Sequence, residues 1–217
     1  MAGKGDLVTT IHLDNQASLT TTEMVILTKH VQDYTNLVTS AWGIEQRLVT
    51  TVPTVGAWSV FITYKNRHTN ASGYHDALNN VPVIYCLPNT AYNRFGKYRK
   101  PWILRGKTIL KESFRPGLLT VICHEVAEAL IDANNDRYSA PDTSGHEWRV
   151  EIGDHCFGAY FTDANNYVYP DFTLPSFYDT KGVAPFTHLK SVGKPFTLTP
   201  KGYGYWIDRT TNKLVKI

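Results

Sequence analysis

The chain has 217 residues, of which 42% are apolar and 12% aromatic, a composition typical of an ordered globular protein. We therefore expect one domain over residues 1–217, with a core at about 7–180 and a C-terminal extension over 181–217. The formal net charge of +3 is too small to predict a nucleic-acid partner. No apolar run approaches the ~18 residues of a membrane span, and the N-terminus lacks a signal-peptide core. We expect a soluble protein with no membrane partner.

Two further features of the composition exclude common functional classes. Three widely spaced cysteines without a Cys-x-x-Cys pair argue against a disulfide scaffold and a cysteine-rich zinc module. They are Cys86, Cys123 and Cys156. Basic and aromatic residues interleave over 94–111, as in some nucleic-acid-binding segments. Because the overall charge is small, a solvated loop is the simpler interpretation of this segment.

The first half of the chain predicts alternating strands and one long helix. A strand is expected over 7–13, and a helix from the Thr20–Thr22 hydroxyls to about Ala41, where apolar residues recur every three or four positions. Gly43 would end that helix. Strands follow over 46–52 and 58–64, with a turn at 53–56 between them.

The second half predicts one apolar helix surrounded by strands and loops. Residues 66–80 are polar and predict a loop, 81–87 a strand, and 89–111 a long connection. A helix is expected over 118–131, an irregular loop over 132–145, and a tail of strands and loops from Tyr160. This order predicts an α+β fold in which a mixed β-sheet packs on the N-terminal helix and the second helix, with an irregular C-terminal tail.

The second helix carries the chemistry. Its sequence is apolar or small except for His124, Glu125 and Glu128. His124 and Glu128 are four residues apart, so a helix places them on one face. Burying these groups without partners would be strongly unfavourable, which favours a bound metal ion.

The motif is a variant of the zincin helix, in which His-Glu-x-x-His supplies two zinc ligands and a glutamate base. Here Glu128 replaces the second histidine, and zinc accepts carboxylate oxygens at ~2.0–2.2 Å. The metzincin pattern is excluded because Asn134 occupies the position of its third histidine. Glu151 and Asp154 are the two candidates for the third ligand, and Asp154 is alternatively an acceptor for the His124 ring.

These residues resemble a zincin-like family. Its members share a His-Glu-x-x-Glu-x-x-x-Asp helix, matched here from His124 to Asp132, and a later Glu-Ile/Val-x-Asp segment, matched by 151–154. Bacterial and phage proteins, and more distantly the plant exordium-like proteins, carry such motifs. The Gly-Tyr-His-Asp sequence at 73–76 is also similar to the first group. The resemblance covers about 70–180 and implies a metallopeptidase-like fold in a cytoplasmic or virion-associated protein.

The resemblance implies a metal-dependent peptidase that acts on a peptide or protein. Its metal ligands are His124, Glu128 and either Glu151 or Asp154, and Glu125 is the general base. His75 or a nearby tyrosine is expected to stabilise the oxyanion. Tyr74 and Tyr85 are expected to contact substrate, with the strand over 81–87 as the edge along which a peptide aligns. Zinc is the expected cofactor, and the carboxylate-rich ligands also suit Mn²⁺, Fe²⁺ or Ca²⁺.

Other interpretations remain open at this stage. The two helix glutamates could form ordinary salt bridges, for example with Arg115, around a core histidine. The chain could also be a non-catalytic structural or binding protein, for instance a phage component, that retains the metal site. Residues 132–143 imitate a calcium loop but lack its glycine and its bidentate glutamate, so an EF-hand is not expected. His146 and His155 are interpreted as surface or loop histidines, and the oligomeric state is not predicted.

Overall fold

The computed structural model describes residues 10–64, 71–78, 81–87, 102–104, 107–109, 117–165, 167–209 and 211–217. Within these ranges the chain forms two α-helices, twelve β-strands and two short 3-10 helices. The α+β class predicted from the sequence is therefore confirmed.

The central element is a five-stranded sheet. Its strands, in chain order, are β1 (Thr10–Asn15), β2 (Leu48–Thr50), β3 (Trp58–Ile62), β4 (Gly73–Leu78) and β5 (Val81–Cys86). Their order in the sheet is β2-β1-β3-β5-β4, and only β4 runs antiparallel to its neighbour. The expectation that residues 81–87 form an edge strand is wrong, because β5 pairs with β3 on one side and β4 on the other.

The loop expected over 66–80 is also a wrong prediction in its described part. β4 lies there, and its burial does not follow an apolar alternation, since Asp76 and Leu78 are exposed. Edge strands often carry charged or polar residues, which protect them from pairing with other chains. The same residues remove the hydrophobic signal by which a strand is recognised. Residues 66–70 and 79–80 lie outside the described part.

Helix α1 spans Thr21–Trp42 and confirms the predicted helix. The Thr20 side chain accepts a hydrogen bond from the Glu23 backbone N–H while the Glu23 carboxylate accepts one from Thr20, which satisfies two helix-terminal donors. Gly43 ends the helix in the left-handed region, with φ of 64°. The buried side includes Leu27 and Val31, both fully inaccessible.

Helix α2 spans Leu118–Ile131, the residues predicted, and is buried almost throughout. It packs against α1, β4, β5 and the later strand β10 (Val168–Pro170), to which the Thr120 hydroxyl donates a hydrogen bond at the Val168 carbonyl. At its end the Asp132 carboxylate accepts from the amides of Asp136 and Arg137 and so orders the following loop. The residues expected just before α2, including Arg115 and Pro116, lie outside the described ranges.

The remaining elements are short. The other strands are β6 (Trp102–Leu104), β7 (Lys107–Ile109), β8 (Glu147–Trp148), β9 (Tyr160–Thr162), β11 (Tyr205–Asp208) and β12 (Lys213–Lys216). β6 and β7 form a hairpin, as do β9 and β10, and β8 joins β11 and β12 in a third small sheet. The 3-10 helices are Asp154–Cys156 and Pro175–Tyr178. Apart from the 3-10 helix Pro175–Tyr178, the tail after Tyr160 is built of strands and loops, as predicted.

Two expectations from composition can be compared with the structure. All three cysteines are buried and free in the structure. Neither α-helix of the described ranges combines the length and apolarity that crossing a membrane requires.

Candidate metal centre

The site lies where α2 meets β4 and the segment that ends in the first 3-10 helix. α2 contributes His124, Glu125 and Glu128, β4 contributes His75, and the 3-10 helix begins with Asp154. These carboxylates and the His75 side chain are at most 10% exposed, and the His124 side chain is 13% exposed. These polar groups, which the sequence singled out, are therefore gathered in a largely buried pocket.

One set of three groups matches the expected ligands of the zincin motif. His124 Nε2 is 3.3 Å from Glu128 Oε1 and 3.1 Å from Asp154 Oδ1. The three ligand atoms all lie within 4.8 Å of one another, a spacing that could hold a metal ion. Asp154, rather than Glu151, is the carboxylate that the structure brings to this pair.

A second set lies beside the first and shares Glu128. His75 Nδ1 is 3.6 Å from Glu125 Oε2 and 3.7 Å from Glu128 Oε2. These three groups also have ligand atoms within 4.8 Å of one another. Glu128 therefore directs one carboxylate oxygen to His124 and the other to His75.

Glu151 does not lie where a third metal ligand beside His124 was expected. Its Oε1 forms an ion pair with Arg149 Nε at 3.0 Å, and its Oε2 lies 4.0 Å from His75 Nε2. The Arg149 side chain is held in turn by a hydrogen bond to the Asn135 carbonyl. Arg149 was not anticipated from the sequence, where it is one of many scattered basic residues.

The carboxylates interact unfavourably with one another when no cation is present. Burial raises the pKa of Glu128 well above its ordinary value, and the charges of Asp154, Glu151 and Glu125 raise it further. Burial likewise raises the pKa of Glu151 to about 7, although His75 and Arg149 act in the opposite direction. A divalent cation would remove this penalty by stabilising the ionised forms.

The same carboxylates also shift the pKa values of the two histidines. Burial alone would lower the pKa of His75 and of His124, but neighbouring carboxylates outweigh it, chiefly Glu125 for His75 and Asp154 for His124. Both pKa values are therefore raised. The surrounding carboxylates therefore favour protonation of both imidazoles when no metal ion is bound.

Several buried atoms test whether the residues fit a cation. Glu128 Oε1, Glu151 Oε2 and His75 Nε2 are buried and have no hydrogen-bond partner among the described residues. Buried polar atoms are seldom left unpaired in folded proteins. Imidazole nitrogen and carboxylate oxygen are the ligands preferred by zinc and related divalent ions. The donor set therefore fits a divalent cation.

Two glycines allow the segments to approach the helix. A Cβ atom at Gly153 would lie 2.5 Å from His124 Nδ1 and 3.2 Å from Glu128 Oε1. One at Gly73 would lie 2.8 Å from Glu125 Oε1 and 2.6 Å from Val121 Cγ1. At each glycine the shortest of these distances is below 3.0 Å, which a Cβ atom cannot adopt unless its neighbour moves, so both positions pack closely against the motif.

A cleft of about 290 Å³ opens onto the site. Its walls include His124, Glu125, Gly73 and Tyr203. Glu128 and Asp154 are not among its lining residues and so lie beneath its surface. Solvent or a ligand in the cleft can therefore reach the His124 side of the cluster and the Glu125 carboxylate.

Tyr203 is a site residue that the sequence analysis missed. It lines the cleft, and its pKa is raised by burial and by the adjacent Asp154 carboxylate, so its hydroxyl keeps its proton. Its backbone N–H also donates to the Asp154 carbonyl at 3.1 Å. The aromatic, glycine-containing sequence around 203–206 is its only local signal, and it does not indicate which surface the segment covers.

Tyr74 and Tyr85, predicted to contact substrate, are not brought to the cleft. They are paired across β4 and β5 and their rings stack at 4.9 Å. Gly73 and His75 face α2, and side chains alternate along a strand, so Tyr74 projects to the opposite face of the sheet. Neither tyrosine is among the residues that line the cleft.

His155, interpreted from sequence as a surface or loop histidine, is fully buried. Its Nδ1 is 2.9 Å from the Tyr178 hydroxyl, and its ring stacks on Phe177. Burial lowers the pKa of His155 to about 4, with a smaller opposing effect of Asp154. It is a neutral core histidine. His146 is more accessible, with its side chain 36% exposed and stacked on Trp206.

The buried imidazole predicts a pH-dependent stability. Because the pKa of His155 falls from 6.5 in the unfolded chain to about 4 in the fold, protonation favours the unfolded state as pH decreases through this window. At ~1.4 kcal/mol per pKa unit, the stability difference between wild type and His155→Gln should shrink by about 3 kcal/mol from pH 7 to pH 4. Urea unfolding in chelator at several pH values measures it, and parallel pH profiles of the two proteins would contradict the assignment.

Comparison with known proteins gives no relative from which to transfer a function. No protein-family model, no curated protein and no solved structure matches this chain. The functional argument therefore rests on the residues and geometry of the site.

Proposed function

We propose that this chain is a metal-dependent peptidase with a zincin-like fold. The observation that carries the proposal is the convergence of His124, Glu128 and Asp154 next to a cleft whose wall contains Glu125. A zincin site needs the same parts: three ligands, an accessible side and a carboxylate in reach of water.

The fold supports this proposal through the position of α2. The helix packs against β4, the antiparallel edge strand, and against its neighbour β5. The His-Glu-x-x-Glu motif therefore lies beside a strand edge that pairs only with β5 among the described strands. That edge is the place where an extended peptide could add as a further strand.

The ligand set affects the choice of metal. One imidazole and two carboxylates would neutralise a divalent cation, so its Lewis acidity would be lower than with three histidines. Zinc remains the first candidate, because it accepts this combination in tetrahedral sites with one open position. Mn²⁺, Fe²⁺ and Ca²⁺ are alternatives that the oxygen-rich donors accommodate.

Each residue of the site has a role in the proposed reaction. A bound divalent cation would act as a Lewis acid that lowers the pKa of water and polarises the scissile carbonyl. Glu125 accepts the proton of the attacking water and later delivers it to the leaving amine. Tyr203 lines the same cleft with a protonated hydroxyl and is the described residue best suited to donate a hydrogen bond to the oxyanion. His75 lies behind the glutamates and no longer fits the oxyanion role expected from sequence.

The test of this function is the Glu125→Gln variant. Removal of a general base lowers turnover by about 10²- to 10⁴-fold, and we expect this loss on a library of fluorogenic peptides. The cation beside His124 should be retained, because none of its three ligands is changed. Glu45→Gln, an exposed glutamate outside the site, is the matched control and should keep wild-type activity.

The alternative is a structural or binding protein that keeps the metal site without catalysis. It predicts bound metal in the wild type and no peptide turnover at any pH. Loss of turnover in Glu125→Gln with metal content preserved would contradict it, because a purely structural site has no need of a base.

A further inference from the structure

We propose that the pocket holds a second divalent cation, bound by His75, Glu125 and Glu128. The proposal rests on the proposed function, since it places this ion beside the one held by His124. Glu128 would bridge the two positions. The chemical class of the centre would then be a carboxylate-bridged pair of divalent ions.

The bridge follows from the orientation of Glu128. Its Oε1 is 3.3 Å from His124 Nε2, and its Oε2 is 3.7 Å from His75 Nδ1. A carboxylate with one oxygen directed at each of two imidazoles is arranged to ligate two ions. Ions in two-metal hydrolytic sites lie ~3.5–4 Å apart, which a single bridging carboxylate spans.

His75 has the surroundings of a metal-ligating histidine. Its Nδ1 faces two glutamates, while its Nε2 faces Glu151 Oε2 at 4.0 Å. Glu151 is itself fixed by the ion pair with Arg149. A carboxylate on the far side of a ligating imidazole orients the ring and increases its basicity.

The residues around the proposed second position are buried, and three atoms next to it lack hydrogen-bond partners. The side chains of His75 and Glu128 are each 5% exposed, and the Glu151 side chain is 8% exposed. Within the described ranges, His75 Nε2, Glu128 Oε1 and Glu151 Oε2 have no hydrogen-bond partner. Glu128 Oε1 belongs to the position beside His124, and His75 Nε2 and Glu151 Oε2 face each other behind the His75 ring. The second position itself is supported by the burial of His75, Glu125 and Glu128 and by the spacing of their ligand atoms, all within 4.8 Å of one another.

The charges of the pocket favour a second ion as well. Glu125, Glu128, Glu151 and Asp154 are four buried carboxylates, and the buried Asp132 adds a fifth negative charge that acts on His75 and Glu151. Arg149 is paired with Glu151. One divalent ion and Arg149 together offset three of these five charges, so two remain unbalanced. A second divalent ion balances both, whereas protonation of His75 balances only one, and these two states differ in metal stoichiometry.

Glu125 can serve both the second ion and the cleft. Its Oε2 faces His75, whereas its Oε1 lies against Gly73, where a Cβ atom would be only 2.8 Å away. Gly73 and Glu125 both line the cleft. One oxygen is thus directed to the proposed ion and the other remains beside the space for water and substrate.

Titration of the chelator-stripped full-length chain with Mn²⁺ tests the proposal. We expect two equivalents per chain by isothermal titration calorimetry. Electron paramagnetic resonance gives a second readout, since two bridged Mn²⁺ ions couple magnetically and lose the six-line spectrum of an isolated ion. Neither measurement depends on catalysis.

Variants assign the two positions. His75→Gln and Asp154→Asn should each bind one equivalent and show an uncoupled spectrum, because each removes a ligand of one position only. Glu128→Ala should bind neither ion. Asp76→Asn, an exposed residue next to His75 in β4, is the matched control and should bind two. Circular dichroism establishes that each variant is folded, and Glu151→Gln, which weakens the second position indirectly, replaces His75→Gln if that variant is not.

The outcomes separate the two proposals. One equivalent in the wild type, retained in His75→Gln and lost in Asp154→Asn, would overturn the second ion and leave the proposed function intact. His75 would then be a neighbour of Glu125 and Glu128 that binds no metal ion. No binding in the wild type would overturn both the second ion and the metal-dependent function.

Discussion

The Gly153→Ala variant is expected to bind metal at least about tenfold more weakly than the wild type, and up to about 100-fold, the range for substitutions that displace a ligating histidine. The added Cβ would lie 2.5 Å from His124 Nδ1 and 2.6 Å from its Cε1, so the ring must move away from residue 153, which disturbs its alignment with Glu128 and Asp154. Gly153 has φ of −86°, an ordinary value for alanine, so the effect comes from contact with His124 and not from backbone strain. Calorimetric titration with Zn²⁺ measures the loss.

Gly193→Ala is the matched control for this experiment. No heavy atom lies within 4 Å of a Cβ built at Gly193, so its metal affinity and stability should match those of the wild type. Equal affinities in Gly153→Ala, Gly193→Ala and wild type would show that the position of the His124 ring does not determine metal binding.

The Glu128→Gln variant is expected to have opposite effects on the metal-free and metal-loaded proteins. In chelator at pH 8 it should be more stable than the wild type. The pKa of Glu128 is raised in the fold above the 4.5 of the unfolded chain, so ionising this carboxylate destabilises the folded state as pH rises. Glutamine has nearly the same shape and no charge. In chelator, the difference in free energy of unfolding between Glu128→Gln and wild type should therefore increase from pH 5 to pH 8.

With bound metal, the wild type should instead be more stable than Glu128→Gln. A ligand at ~1,000 times its Kd stabilises a folded protein by about 4 kcal/mol, and only the wild type should gain it. Thermal unfolding with and without Zn²⁺ at pH 8 makes the comparison. Glu23→Gln is an unsuitable control because Glu23 caps α1, whereas the exposed Glu45→Gln leaves both helices and the site unchanged. Equal stabilisation of wild type and Glu128→Gln by Zn²⁺ would exclude Glu128 as a ligand.

The sequence predicts the two helices well because their signals are local. The Thr20–Glu23 capping pair, the spacing of apolar residues and Gly43 define α1 without any tertiary information. The apolar run of α2, interrupted only by His124, Glu125 and Glu128, predicts both its extent and its role as the chemical centre.

The sheet is predicted less well because its topology depends on distant pairings. β4 carries Asp76 and an exposed Leu78, and its polar sequence predicts a loop. Only pairing with β5 makes it a strand, and that pairing also moves β5 from the edge to the interior of the sheet. Strand alternation then places Tyr74 opposite Tyr85, on the face away from α2.

The third ligand and its neighbours could not be chosen from sequence. Glu151 and Asp154 lie in a segment of turns, where side-chain directions depend on the local backbone and not on a fixed period. The structure directs Asp154 to His124 and Glu151 to Arg149. Tyr203 reaches the site through tertiary packing of the tail, which no local pattern near it predicts.

The central claim, that His124, Glu128 and Asp154 hold a divalent cation, is tested most directly by the metal content of the purified chain. Inductively coupled plasma mass spectrometry on protein prepared without chelator should find at least one equivalent in the wild type and none in Glu128→Ala. Absence of metal from both proteins, together with no change in wild-type unfolding when Zn²⁺ or Mn²⁺ is added, would contradict the account.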